Sequence, residues 1–285
     1  GLGGDPNKMV FTHPLKPIRT LKYAKEKGIK RLVYDTEEEL EKIMKIYPEA
    51  EVFLRVKPKF TNAKIPLSNK FGATPKGVHS LIQATKRLNA HFIGFSFHVG
   101  SLCDSQTTFK QALEYAAELK KEAEEAGLKV NFIDIGGGFF PPSSKTQFTF
   151  AQIAQAINEG IDEYFPEKDV DFIAEPGRFI GSEYMDLYCP VICAKDVEHK
   201  DGTISQSIFI PDGMYGAFNA IIWDHAQPHF ELYRKNGTVN MDEKIPTTLW
   251  GQTCDSMDVI YENMQWPKLQ LGDILIIRKF SAYTY

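Results

Sequence analysis

Five short stretches gather side chains that can do chemistry. Ile133-Asp134-Ile135-Gly136-Gly137-Gly138 runs from an apolar segment into glycines. Their backbone N–H groups can close on a phosphate, or they can form a plain strand-to-loop turn. The pattern is not GxGxxG, which counts against a dinucleotide. Ala174-Glu175-Pro176-Gly177-Arg178 sets a carboxylate, a glycine and a guanidinium side by side. They suit two ends of one anionic ligand, with Gly177 and Arg178 at a phosphate and Glu175 at a ring nitrogen, or else a simple ion pair at a barrel rim. In Ser96-Phe97-His98-Val99-Gly100-Ser101, strand alternation puts Ser96 and His98 on one side. The flat imidazole can stack on a ring and Ser101 can bind phosphate, although a lone histidine at a strand end also serves structure alone. Trp250-Gly251-Gln252-Thr253-Cys254-Asp255 pairs a thiol with a carboxylate, and without a CxxC or a nearby histidine it does not read as a metal site. Asp212-Gly213-Met214-Tyr215-Gly216, followed by Trp223-Asp224-His225-Ala226, reads either as a polar loop or as a turn leading into an aromatic strand. Together these groups suit a phosphate, a heteroaromatic ring and a cation, the combination that pyridoxal phosphate and an amino-acid substrate present.

These groups need a scaffold that brings strand ends together. From Met9 to about Ile180, short apolar runs alternate with helical patterns. Strands are expected at Met9–Thr12, Arg31–Tyr34, Glu51–Val56, Phe92–Val99, Val130–Ile135 and Asp171–Ala174, each rich in Val, Ile and Phe as strands buried on both faces should be. Between them, Leu40, Ile43, Met44 and Tyr47 follow helical spacing behind a Thr36/Glu39 capping box. Thr74 and Pro75 open another helix, a third runs from about Thr107 to a stop at Gly127, and a fourth carries Phe150, Ile153, Ala154, Ile157 and Ile161 on one stripe. Such alternation means parallel strands with right-handed crossovers, in a (β/α)8 barrel or an open doubly wound sheet. Both place sites at strand C-terminal ends, where His98, the glycine run and Glu175–Arg178 fall. A barrel needs eight strands and about six are legible, so roughly two strand–helix units are expected to be missing.

After Ser182 the helical period fades. Tyr184–Asp196 reads as one strand, with Cys189 and Cys193 on one face; Val197–Ile210 reads as a hairpin about Asp201-Gly202, and Ile274–Phe280 as a further strand. The expected domains are thus an α/β barrel portion over 1–183 and a mainly β portion over 184–285. Across 285 residues, 43% hydrophobic and 25% charged content is ordinary for a folded chain. A net charge of -4 makes nucleic acid an unexpected partner. No apolar run reaches the ~18 residues of a membrane helix, and the opening GLGGDPNK lacks the form of a signal peptide. With 4 cysteines and no secretory signal, a cytoplasmic protein with free thiols is expected; Cys103, Cys189 and Cys193 read as core residues.

In order along the chain, FHVGS, DIGGGF, EPGR, DGMYGAF, WDHA, WGQTCDSMD and AYT match the motifs of the eukaryotic ornithine decarboxylases. The chain resembles that family from about Met9 to Tyr285. The resemblance implies a pyridoxal 5'-phosphate barrel of the alanine racemase type, a β-domain, and a homodimer with shared active sites. It implies that His98 stacks on the pyridine ring and Glu175 pairs with the ring nitrogen. Ser101, Gly138, Gly177, Arg178 and Tyr283 would hold the phosphate, with Gly136 and Gly137 in the same cofactor loop. Asp224 and Asp255 would bind the distal ammonium of L-ornithine. Cys254 would return a proton to the α-carbon, and Tyr215, Cys254 and Asp255 would reach the partner's site. Three departures stand out. The family's Schiff-base lysine lies in an Ala-Val-Lys-Cys-Asn-like strand absent here, and Lys57, Lys59 and Lys70 read as surface or rim residues. Pro66 falls where the family often has an arginine near the cofactor, and the family's last strand is not reached. The implied activity is decarboxylation of ornithine to putrescine, the first step of polyamine biosynthesis. Alternatives are an inactive antizyme-inhibitor-like relative, a decarboxylase of arginine or diaminopimelate, and a non-catalytic pyridoxal-phosphate binder. The basic segment Lys16–Lys30 is either a solvated helix or, as the resemblance implies, an antizyme-binding region.

Overall fold

A computed structural model describes residues 3–59, 63–65, 67–142 and 144–284; Pro66, singled out above, lies outside the described residues. The chain divides into two compact units, Gly1–Arg178 and Phe179–Tyr285.

In the first unit the expected alternation is present. It runs β1 (Val10–Phe11), α1 (Ile18–Glu26), β2 (Arg31–Tyr34), α2 (Glu37–Ile46), β3 (Glu51–Val56), β4 (Ala63–Ile65), α3 (Pro75–Arg87), β5 (His91–Phe97), β6 (Ser101–Cys103), α4 (Gln106–Glu125), β7 (Phe132–Asp134), α5 (Phe150–Tyr164) and β8 (Asp171–Ile173), with α6 (Gly177–Gly181) leading out. Strands β1, β2, β3, β5, β7 and β8 form one six-stranded sheet in that order, and every pair is parallel. Strands β4 and β6 form a separate antiparallel pair. Val33, Phe53, Ile93 and Phe132 pack as a buried layer low on the sheet, each worth roughly 1.5–3 kcal/mol of burial. Gly94 permits the close approach of β5 and β7, since a Cβ there would lie 1.7 Å from the Phe132 carbonyl oxygen.

Helix starts follow their caps. Thr74 accepts from the Gly77 N–H ahead of Pro75, and Thr149 with Gln152 makes a reciprocal capping box that the sequence reading missed. The Thr36/Glu39 box is only half formed. Thr36 caps the Glu39 N–H, but the Glu39 carboxylate turns away and accepts from the Lys16 N–H at 3.2 Å. Lys16 is correspondingly buried, its ammonium donating to the carbonyls of His13, Pro14 and Val33 and pairing with Glu39 at 3.2 Å. Burial, opposed by Glu39, pulls its pKa down to about 8. Lys16 is therefore not part of a solvated basic face; it ties the entry of α1 to β2 and α2.

The second unit is mainly β. It contains β9 (Leu187–Pro190), β10 (Cys193–Glu198), β11 (Ile204–Phe209), α7 (Asn219–Trp223), β12 (Phe230–Tyr233), β13 (Lys244–Trp250), β14 (Val259–Pro267) and β15 (Ile274–Ile277). The sheets are β10-β11-β13-β14 and β12-β15-β9. The hairpin about Gly202 is present. The single strand expected over Tyr184–Asp196 is instead two, broken at Val191 and Ile192, because the chain passes there from one sheet to the other. Cys189 and Cys193 consequently lie in different sheets rather than on one face. Cys189, Val191, Ile208, Phe218 and Leu249 share the buried core.

Candidate active site

Strand register stacks the inward side chains of the first unit in rows. In a parallel sheet, paired residues share a face, and i and i+2 repeat it. Arg55, Ser96, Asp134 and Ile173 are register partners across β3, β5, β7 and β8, so they form one row above the apolar layer. Two residues further on, His98, Gly136 and Glu175 follow at the strand ends. The Glu175 N–H donates to the Gly136 carbonyl at 2.7 Å. The glycine run fits into this crossing because side chains would not. A Cβ on Gly137 would lie 2.5 Å from the Glu175 carbonyl oxygen and 3.2 Å from His98 Nε2, and one on Gly138 would lie 2.3 Å from the Gly100 carbonyl oxygen. His98, the glycines and Glu175 are thus brought together, although they are distant in sequence.

Two observations fix the protonation pattern. His98 Nδ1 accepts from the Gly100 N–H at 2.9 Å, so the ring proton sits on Nε2. Burial, helped by the Arg55 charge, lowers the His98 pKa to about 4. The ring is therefore a neutral, flat imidazole at pH 7. Glu175 is exposed, and its Oε2 accepts from Thr12 Oγ1 at 2.8 Å. Arg55 lies over the Phe71 ring at 5.3 Å, with the Glu175 and Asp35 charges offsetting part of the cost of its burial. Ser101 opens β6 opposite Ile65; Gly177 and Arg178 open α6, the Gly177 N–H donating to the Glu175 carbonyl.

The His98 environment has a consequence for stability. Its folded pKa is depressed, so its contribution is present above about pH 6.5. It is lost as pH falls toward 4, because the unfolded chain takes up a proton that the folded chain refuses. We expect this to cost ~2–3 kcal/mol over that interval. A His98→Asn variant, whose amide oxygen can replace Nδ1, should lose that part of the pH slope in thermal unfolding. Identical slopes for both proteins would contradict the assignment.

In the second unit a buried carboxylate organises the polar loops. Asp258, 1% exposed, accepts from the Met214 N–H at 2.8 Å through Oδ1. Through Oδ2 it accepts from the Thr253 N–H at 2.9 Å and the Thr253 hydroxyl at 2.8 Å. Gly213 and Gly251 line it so tightly that a Cβ on either would lie 2.2 Å from its Oδ1. Asp212 closes its own loop by accepting from the Ala217 N–H. The result holds Tyr215 against Asp255: the phenol donates to Oδ2 at 2.5 Å, while Oδ1 accepts from the Met257 N–H. These bonds hold the Asp255 carboxyl below its usual range and push the Tyr215 phenol up. Cys254 is exposed beside them. Asp224 ends α7, its N–H donating to the Ala220 carbonyl, and Tyr283 is 58% exposed after β15.

Arg55, Asp134, Thr12 and Asp258 carry site geometry that the sequence reading assigned to none of them. A lone arginine in Val-Phe-Leu-Arg-Val was the one available signal. Among the described residues no cluster of metal-binding side chains occurs, and no helix is long and apolar enough to cross a membrane.

Residues 1–182 match the family model described as pyridoxal-dependent decarboxylase, pyridoxal binding domain, and the chain belongs to that family. It is 38% identical over 292 residues to antizyme inhibitor 2 of Xenopus laevis, covering 99% of this chain and 63% of that protein. It is 36% identical over 295 residues to ornithine decarboxylase of Rattus norvegicus, covering 100% and 63%. The crystal structure of the Paramecium bursaria Chlorella virus arginine decarboxylase superposes with a TM-score of 0.86 at 33% identity, over 99% of this chain and 74% of that one. The chain thus spans about 63% of the length of these curated relatives. Its fold is of the alanine racemase type, with a curled parallel part-barrel followed by a mainly β unit.

Proposed function

We propose that this chain is the larger part of a pyridoxal-phosphate-dependent ornithine decarboxylase that releases putrescine for polyamine synthesis. The observation that carries the cofactor reading is the pairing of an exposed, oriented Glu175 carboxylate with a neutral His98 across a glycine run that no side chain could enter. Those groups fit a planar pyridine ring: His98 would offer its face and Glu175 its charge to a ring N–H. Ser101, Gly136, Gly137, Gly138, Gly177, Arg178 and Tyr283 would hold the phosphate. When bound, pyridoxal phosphate supplies the electron sink for the pair left on Cα as CO2 departs. Glu175 favours the protonated ring by its negative charge. Cys254, exposed and beside Asp255, delivers the proton to Cα. Asp255, ionised and pinned by Tyr215, anchors the substrate's distal ammonium together with Asp224. The family resemblance supports a cytoplasmic homodimer in which Tyr215, Cys254 and Asp255 serve the partner's site, with antizyme as a further partner.

The identity to an antizyme inhibitor supports a second reading, a regulator that keeps the fold without the chemistry. Cys254 and Asp255 side by side favour the enzyme, because a regulator needs neither a proton donor nor an ammonium anchor. Substrate choice is tested by CO2 release from equal concentrations of ornithine, lysine and arginine, using the full-length protein with pyridoxal phosphate. Ornithine should be preferred at least tenfold in kcat/KM. Equal or better use of arginine would move the assignment to another basic amino acid.

A further inference from the structure

Behind Glu175 lies a second carboxyl group that the reaction scheme leaves without a task. Asp134 ends β7 and is 0% exposed. Its Oδ1 accepts from the Gly136 N–H at 2.9 Å. Its Oδ2 is buried, and among the described residues no N–H or O–H donor reaches it. Register places it between Ser96 of β5 and Ile173 of β8, on the face from which Glu175 projects two residues later. We propose that Asp134 is a positioning residue that keeps its proton and donates it from Oδ2 to Glu175, so that the two carboxyls share one negative charge and Glu175 carries it toward the cofactor ring. The inference deepens the cofactor reading above and rests on it for its functional consequence.

Two adjacent carboxylates do not both ionise without a large penalty, and the proton stays on the member that water cannot reach. Asp134 is that member, since Glu175 is exposed. A protonated carboxyl also removes the anomaly at Oδ2, because an acid O–H supplies the missing donor. Burial first, then the Glu175 charge and a side-chain hydrogen bond between the two carboxyls, raise the Asp134 pKa far above the carboxylate range. The surrounding charges are accounted for: Arg55 from β3 acts against this shift, Asp35 after β2 lies with Arg55, and His98 at the end of β5 is neutral. With Thr12 donating to Oε2 and Asp134 donating from behind, Glu175 is oriented by two hydrogen bonds.

The test is infrared difference spectroscopy of the full-length protein, first without added cofactor. At pH 7, wild type minus Asp134→Asn should show a protonated-carboxyl carbonyl band that shifts in D2O and disappears only at alkaline pH. Loss of carboxylate bands instead would overturn the proposal. The asparagine retains an acceptor for Gly136 and a donor for Glu175, so it should bind pyridoxal phosphate within about threefold of wild type. Asp134→Val, with neither, should bind at least tenfold more weakly. Equal losses in both variants would also overturn it. Should Asp134→Asn fail to fold, Glu175→Gln replaces it: removing the acceptor's charge must shift the protonated band, and an unmoved band contradicts the pairing. Failure of the full-length protein to bind pyridoxal phosphate would remove the cofactor reading, whereas the infrared band would still report on the acid pair.

Discussion

An Asp258→Ala variant is expected to lose ~3–5 kcal/mol of stability and to release both polar loops of the β unit at once. The side chain is buried and accepts three hydrogen bonds, from the Met214 and Thr253 N–H groups and the Thr253 hydroxyl. Truncation strands those donors in a space that Gly213 and Gly251 have left too narrow for other side chains. Stranding buried hydrogen-bonding partners costs roughly 1–3 kcal/mol apiece, discounted where water enters. Asp258→Asn should cost less, since it keeps one acceptor oxygen and places an N–H₂ against donors. Because Tyr215 and Cys254 lie on the segments that Asp258 joins, the alanine variant should lose activity in proportion to loop order, not only to folded fraction. Urea unfolding of the full-length protein, compared with the native variant's turnover, checks both parts. A stability loss below ~1 kcal/mol would show that the loops hold without it.

Asp258 also marks where sequence reasoning ends. The six parallel strands were legible because each is a short Val-, Ile- and Phe-rich run between helical periods. His98, the glycines and Glu175 were legible because their motifs fall together at the C-terminal ends of the expected parallel strands, although each alone also reads as structural. Arg55 and Asp134 were not, because a strand buried on both faces is expected to be apolar, and only register shows that they occupy the same row. Asp258 takes its meaning from the close approach of Gly213 and Gly251, a relation that no local pattern carries. In the β unit the Gly202 hairpin was readable from its turn. The parallel pairing of β11 with β13 was not, since α7 and β12 intervene. The break at Val191–Ile192 escaped for the same reason: a change of sheet leaves no mark in an alternating sequence.

The second large effect concerns the pair Cys254 and Asp255, and the two residues should fail differently. Without Asp255, a substrate ammonium loses a charge-assisted hydrogen bond worth roughly 1.5–3 kcal/mol, or about 10- to 150-fold in kcat/KM, while the absorbance of bound cofactor is unchanged. Tyr215 loses its acceptor as well, so part of the loss comes from a displaced phenol. Cys254→Ala should leave substrate binding intact, because among the described residues the loop is held by Asp258 and by the Asp255 carboxylate accepting from the Met257 N–H. Under the proposed assignment it removes the donor of the proton to Cα after CO2 has left. The product should then divide, with part of the substrate leaving as an aldehyde and the enzyme losing activity as it turns over. Full activity on ornithine in Asp255→Ala would end the anchor role and reopen the choice of substrate.

Counting CO2 and putrescine together, from one reaction of the full-length protein with pyridoxal phosphate and L-ornithine, tests the central claim most directly. Wild type should release both continuously, in equal amounts and only with the cofactor, whereas Cys254→Ala should release CO2 in excess of putrescine. A folded, cofactor-supplied wild-type protein that releases no CO2 from ornithine would contradict the enzymatic assignment and leave the regulatory relative as the reading of this chain.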